Sequence, residues 1–289
     1  MNHATDLPLV SIGMPVYNEA RFIDASLASL RRQDHPNLEI VVCDNASGDD
    51  TVAICERHAR EDARIRIVRA SENHGAISNF QRALDEARGD FFLWAAGHDL
   101  WSPNFVSACL GALLADPRAC LAFACSRWID GAGAPLARAS GWTDTRGMDP
   151  LARFFTVYWG NMHPILGLMR TPDLRACTPL LQLTGGDLVL LSRLSLRGDF
   201  AHAPAALWSR REFRAEARYE DKLRRYASKD VAIAKSLLQR MFPLVQLPFA
   251  LMRVVWRAPL PWLDRIGALL VLLASFPLRY RVGRRDNAR

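Results

Sequence analysis

The chain has 289 residues, half of them apolar and 23% charged, which is long enough to fold around a full core as one large or two small domains. The formal net charge of +7 sits wholly beyond residue 239, where nine Arg stand against two acids (9 − 2 = +7). Residues 1–239 are therefore close to neutral, which excludes a nucleic-acid-binding body.

Six cysteines (Cys43, Cys55, Cys109, Cys120, Cys125 and Cys177) fall mostly in apolar runs without Cys-x-x-Cys spacing. They read as buried reduced thiols of a cytosolic protein rather than a zinc site. The first eight residues lack a basic region leading into an apolar core, so no secretory signal is expected.

Residues 9–16 read as a buried strand ending in Tyr17, Asn18 and Glu19. Residues 20–33 follow as a helix with Phe22, Ile23, Leu27 and Leu30 on one face. A second strand, 38–43, is closed by the polar turn 44–51 and feeds a helix through about residue 60. A third strand at 64–68 leads through Asn73, His74 and Gly75 into a helix over 76–87. The fourth, 91–96, breaks at Gly97 into His98 and Asp99, with Ser102 as N-cap and Pro103 at the first position of the next helix. Strands alternating with helices at this spacing predict a parallel, doubly wound α/β sheet.

Asp116-Pro117 ends that helix, 120–125 reads as another strand, and 126–148 as a hairpin or irregular connection. A mixed region then contains Trp159–His163 and Gly167–Arg170, and Gly185-Gly186-Asp187 opens a helix with Leu188, Leu191 and Leu194 on one side. From about Arg240 the chain turns to apolar blocks punctuated by Pro and Arg, without internal repeats.

Neither Gly-x-Gly-x-x-Gly after the first strand nor a Gly-x-x-x-x-Gly-Lys-Ser/Thr loop is present. Polar residues gather instead at successive strand ends: Tyr17/Asn18/Glu19, Asp44/Asn45, Asn73/His74 and His98/Asp99. In an open α/β sheet those ends converge on one crevice. Asp44 can accept from a base N–H or a ribose hydroxyl, or simply hold the Ser47/Gly48 turn. Tyr17 can stack on a base or pack in the core, and Asn79 can face the crevice or be a solvated helix residue. His98 and Asp99 are able to hold a metal.

In order and spacing, VSIGMPVYNE (10–19), DNASGDDT (44–51), NHGAISN (73–79) and GDFFLWAAGHDLWSP (89–103) resemble family-2 glycosyltransferases. The resemblance covers about residues 7–215. It implies a GT-A fold, a doubly wound, mostly parallel sheet with flanking helices. Residues 1–125 would form a nucleotide-sugar-binding half and 126–239 an acceptor-binding half, with C-terminal helices at 240–289.

It also implies an inverting enzyme that moves a sugar from a nucleoside-diphosphate donor to a lipid-linked or glycan acceptor in cell-surface polysaccharide synthesis. The donor site would use Pro15, Tyr17, Glu19, Asp44, Asn73, Gly75 and Asn79. Trp208-Ser209-Arg210-Arg211 resembles a basic element lying against the diphosphate, the alternative being a solvated charge pair. Gly185-Gly186-Asp187 resembles the segment that carries the general base, which makes Asp187 the candidate catalytic residue; otherwise Asp187 is an N-cap. His163, just before Gly167–Arg170, would line the acceptor site or merely pack.

One departure stands out. Where the family shows Asp-x-Asp-Asp, this chain has Ala96-Gly97-His98-Asp99. Imidazole suits Mn²⁺ better than Mg²⁺, which prefers hard oxygen ligands. The expectation is a divalent metal on His98 and Asp99 with Mn²⁺ favoured, against Asp99 alone holding a weak metal or no catalytic metal. The lost acids motivate a rival reading, a catalytically impaired, membrane-associated nucleotide-binding protein of the same fold. A nucleotidyltransferase would want a Gly-rich basic loop after the first strand, and 15–19 is not one.

The tail blocks 241–256 and 266–278 are too short to span a bilayer. With Trp256, Trp262 and Tyr280 and with Arg279, Arg281, Arg284 and Arg285, they read as in-plane or re-entrant helices on the cytoplasmic face of the cell membrane. The alternative is helices packed on the catalytic domain or forming a dimer contact.

Overall fold

A computed structural model describes residues 7–212 and 244–285. Four strands, β1 (Val10–Val16), β2 (Leu38–Asp44), β3 (Ile65–Arg69) and β4 (Phe91–Trp94), alternate with helices α1 (Ile23–Arg31), α2 (Thr51–Glu61) and α3 (Ala76–Asp85). Then come β5 (Leu100–Trp101), α4 (Phe105–Ala115), β6 (Ala119–Ile129), α5 (Pro150–Trp159) and a 3₁₀ turn at His163–Leu166. The domain continues through β7 (Leu168–Arg170), α6 (Thr171–Arg175), α7 (Gly186–Ser195) and β8 (Asp199–Arg211). Helices α8 (Gln246–Arg257) and α9 (Trp262–Arg285) follow the residues outside this description.

The strands form one eight-stranded sheet in the order β3-β2-β1-β4-β7-β6-β8-β5. β1 pairs in parallel with both β2 and β4, and β3 extends β2 in parallel. Because β2 and β4 flank β1, the chain reverses its direction of winding there, and such a switch point opens a crevice beyond the strand ends. β7 runs antiparallel to β4 and β6, β8 parallel to β6, and β5 antiparallel to β8. The expected mostly parallel sheet is present, and one sheet carries both the 1–125 and the 126–239 stretch, with residues 213–239 outside the description.

Alternation across the buried strands sorts the core into two layers. Ile40 and Val42 join Ile12, Leu27, Cys55 and Leu110 on the α1/α2/α4 side. Val41 and Cys43 join Leu84, Phe92, Phe154 and Leu191 on the α3/α5/α7 side. All six cysteines are free thiols; burial pushes those of Cys55 and Cys109 up to about 12.

Three local expectations change. β4 stops at Trp94. Helix α4 begins at Phe105 after Asn104, and Ser102 is a bridge rather than an N-cap: its Oγ accepts from Leu207 N–H (3.0 Å) and donates to Asn104 Oδ1 (2.8 Å). The connection after 125 is partly strand, since β6 runs on to Ile129 before a turn in which Asp130 N–H reaches Ala134 C=O at 2.9 Å.

The tail is part of the domain. Leu247, Leu251 and Val255, one helical turn apart, are buried on the α7 side of the core, and Ala268 and Leu272 of α9 join the same cluster. The structure thus matches the packed alternative for the inner side of both helices. Leu251 is fully enclosed. Leu251→Ala is expected to cost about 3 kcal/mol, read as a shift of one cooperative urea transition; a separate early transition for the tail would contradict this packing.

Candidate active site

One side of the crevice is built where β1 and β2 end together, Val16 opposite Asp44. Pro15 lies one step inside β1 opposite Cys43, and Tyr17 emerges 47% exposed, not in the core. Two loops then lock together. Asn18, at φ +53°, donates its N–H to Ser47 Oγ (2.9 Å) and accepts from Gly48 N–H at Oδ1 (2.9 Å). Glu19 N–H donates to Thr51 Oγ1 at 2.8 Å. Asn18 and Ala46 (φ +61°) hold the left-handed conformation without being glycine, and such strain persists where surrounding bonds enforce it.

Asp44 is 2% exposed, and both its oxygens accept from Ser47 N–H at 3.2 and 3.3 Å, the turn-holding arrangement. Asn45 reaches across to the third loop. Its Nδ2 donates to Asn73 Oδ1 (2.8 Å) and Gly75 C=O (3.2 Å), while its Oδ1 accepts from His74 N–H (3.1 Å). Gly75 sits at φ +86° immediately before α3. Asn79 is buried, not solvated: its Nδ2 donates to Cys43 C=O (2.8 Å) and Val16 C=O (3.4 Å), tying the ends of β1 and β2.

Beyond the end of β4, His98 Nδ1 lies 3.2 Å from Glu19 Oε1, and its Nε2 lies 4.0 Å from Asp99 Oδ1. Gly97 permits this approach, since a Cβ there would stand 3.1 Å from Glu19 Cγ. Asp99 is turned inward and 2% exposed. Its Oδ1 accepts from Arg211 N–H and its Oδ2 from Trp208 Nε1–H, each at 2.9 Å, while its C=O accepts from Ser26 Oγ–H at 2.8 Å. Burial raises its carboxyl above the usual range, opposed by the His98 charge and by these donors.

Arg211 is likewise committed to the fold rather than forming a solvated pair with Arg210. It donates from Nε to His98 C=O (2.8 Å) and from Nη1 to Asp130 and Gly131 C=O (3.0 and 3.1 Å). Arg210 is exposed and stacks 4.3 Å over the Trp128 ring. Among the described residues no cluster of three His, Cys, Asp or Glu is placed to hold a metal. Of the two expected ligands, Asp99 is committed inward through both carboxylate oxygens, which leaves the His98 imidazole, with Glu19 on its Nδ1, as the group that would meet a metal.

Asp187 is exposed in the first turn of α7, and the residue before that helix is Gly185 at φ +87°, so Asp187 is not the N-cap. A Cβ on Gly185 would fall 2.8 Å from Leu247 Cδ2, so α8 walls this turn. His163 is the reading that gives way. It is 5% exposed, with Nδ1 2.8 Å from Ser126 Oγ and Nε2 2.9 Å from Ala124 C=O, and it packs edge-on to Phe123 and Trp208. It belongs to the core. Asn45 and Trp208 are contributors given no role of their own from the sequence; the strand-end position of Asn45 and the Trp208–Arg211 element were their signals.

Burial pushes His163 down to about 4 from its ordinary 6.5. Its neutral form is thus preferred in the fold, a contribution complete above pH 6.5 and lost as pH falls toward 4. At pH 4.5 the loss is roughly 2 kcal/mol, and urea midpoints of wild type and His163→Asn at pH 7 and 4.5 should show the acid-induced drop chiefly in wild type. Asp99→Ala strands two buried donors and is expected to cost about 3 kcal/mol, against about 1 kcal/mol or less for His98→Ala, by the same measurement.

The glycosyl transferase family 2 model matches residues 11–159, more than half of the chain. TuaG of Bacillus subtilis, whose name carries a provisional assignment to teichuronic acid biosynthesis, is 34% identical over 97 residues, 34% of this chain and 38% of TuaG. Escherichia coli chondroitin synthase is 29% identical over 136 residues, 47% of this chain and 20% of that one. The matched stretch therefore spans well under half the length of these relatives. The S. aureus TarS structure with UDP-GlcNAc superposes with a TM-score of 0.68 at 17% identity, over 92% of this chain and 71% of that chain. The mannosyltransferase PcManGT from Pyrobaculum calidifontis, solved with GDP-Man and Mn²⁺, gives 0.57 at 20% identity over 99% and 85%. With a GT-A-type sheet, interlocked loops at its switch point and the family's own model across the first half, this chain belongs to glycosyl transferase family 2.

Proposed function

We propose that this protein transfers a sugar, with inversion at the anomeric carbon, from a nucleoside-diphosphate donor to a hydroxyl of a lipid-linked or glycan acceptor in cell-surface polysaccharide synthesis. The observation that carries the reading is the convergence of the β1, β2 and β4 ends, with exposed Tyr17 at one side and His98 held by Glu19 at the other. The sugar nucleotides named with TarS and PcManGT support that donor class.

In this reading the Tyr17 ring stacks on the base. Asp44, Asn73, Gly75 and Asn79 shape the nucleoside pocket, three of them by holding loops. Asp187 takes the acceptor proton as the hydroxyl oxygen attacks from the face opposite the diphosphate, and the diphosphate leaves with the bonding electron pair. Asp187 lies in the first turn of α7, at the positive end of that helix. Exposed Arg210 offers a guanidinium to the leaving diphosphate, whereas Arg211 acts by fixing the His98 backbone. A divalent metal, Mn²⁺ ahead of Mg²⁺, would be held by the His98 imidazole and would neutralise developing diphosphate charge; Asp99 positions that residue from behind. The enzyme would work in the cytoplasm at the inner face of the cell membrane.

Asp187→Asn is expected to lower kcat at least roughly 100-fold while UDP- or GDP-sugars still raise the melting temperature. Wild-type turnover should be greater in Mn²⁺ than in Mg²⁺, with His98→Ala losing the difference; full activity in EDTA would remove the metal from this account. Nucleotide-induced stabilisation without any transfer or donor hydrolysis by wild type would favour the impaired binding protein suggested by Ala96 and His98.

A further inference from the structure

Among the described residues, the tail helices are packed on one side and exposed on the other. On α8, Leu247, Leu251 and Val255 face the core, whereas Phe249 is 68% and Trp256 60% exposed. On α9, Ala268 and Leu272 are buried, and Leu270, Val271, Leu273 and Leu278 are turned out at 47–62% exposure. No charged residue occurs from Ile266 to Leu278. Exposed large apolar side chains grouped on two neighbouring helices mark an interaction surface. No helix among the described residues is long and apolar enough to cross a membrane, so the face is one that would lie on a surface.

Alongside it, between α7 and α8, is a cleft of about 900 Å³ lined by Arg193 and Arg197 from one helix and Arg253 and Arg257 from the other. No carboxylate lines it among the described residues. Arg193 donates to Cys177 C=O at 2.7 Å, and Arg197 pairs with Asp173 at 3.1 Å. Arg253 and Arg257 are exposed without a carboxylate partner among the described residues. Four guanidiniums around an open cleft are suited to phosphate oxygens, and Phe249 and Val254 in its wall suit an attached hydrocarbon.

We propose that α8 and α9 seat the protein on an anionic phospholipid bilayer, the outward apolar side entering the acyl boundary and the Arg193/Arg197/Arg253/Arg257 cleft taking a lipid phosphate. This goes beyond the transfer reaction and does not rest on it. Charge decides between a bilayer and a second copy of the chain. Residues 244–289 carry eight Arg and two acids (8 − 2 = +6), so copies facing each other repel, whereas an anionic leaflet attracts. Trp256 and Trp262, exposed on either side of the α8–α9 turn, match the headgroup level. The headgroup contact falls on the cleft and not on Arg279, which is turned inward to donate to Tyr158 C=O, nor on Arg265, which donates to Leu260 C=O at 2.8 Å. The side chains of Tyr280, Arg281, Arg284 and Arg285 lie outside the described residues.

The test is co-sedimentation of the full chain with phosphatidylcholine vesicles, with and without about one third phosphatidylglycerol. Wild type should partition at least roughly tenfold more strongly onto the anionic vesicles, and the Arg253→Gln/Arg257→Gln pair should lose most of that factor. Leu270→Ser/Leu273→Ser should weaken binding in high salt, where insertion outweighs charge. Nucleotide-induced thermal shifts, measured on the same proteins, report folding and the donor site separately. Equal partition onto both vesicle types, or an unchanged arginine variant, would overturn the phosphate cleft. Failure of wild type to bind either vesicle, or a stable dimer in solution converted to monomer by Leu270→Ser/Leu273→Ser, would overturn the bilayer itself.

Discussion

The buried carboxylate of Asp99 is the point from which the active-site edge is hung. It joins two segments far apart in sequence, the loop after β4 and the end of β8, through the Trp208 indole and the Arg211 amide. Arg211 completes the join by donating to the carbonyl of His98. An ionised carboxylate so enclosed is costly unless its oxygens are satisfied, and here each has a donor. Fixing His98 from behind leaves its ring against Glu19, which is itself anchored through its N–H to Thr51 on the second loop. The His98 corner and the loops after β1 and β2 are thus one hydrogen-bonded unit.

Much of this was legible. Buried strands followed by polar residues repeat four times, and an alternating pattern of that kind admits few arrangements other than a wound parallel sheet. The strand ends therefore marked the crevice, and Tyr17 lies there. What the sequence could not give was direction. Asp99 and Arg211 carry the charges expected at a diphosphate, yet both point into the fold, because their partners come from residues between 80 and 113 positions away. His163 misled for the same reason: its partners on β6 are brought in only by tertiary packing.

The second half of the sheet was harder to read. β8 is a thirteen-residue strand, but Pro204 interrupts it and its pairing with β6 shifts register between Ala124 and Cys125. An irregular strand gives no clean two-residue period, so periodicity passes over it. The tail posed a different difficulty. Hydrophobicity all round a helix does not say which side meets protein, and here one side of α8 and α9 does while the other does not.

Leu247 fits into the space left by the missing side chain of Gly185, two residues ahead of Asp187. The last helices therefore brace the turn that presents the proposed base. A shortened protein ending before them would lose more than an attachment: it would uncover the α7 side of the core and unseat that aspartate. Activity and location would then disappear together, and the defect would say nothing about which came first. Point changes on the outward faces of α8 and α9 separate the two, because they leave Leu247, Leu251 and Val255 in place.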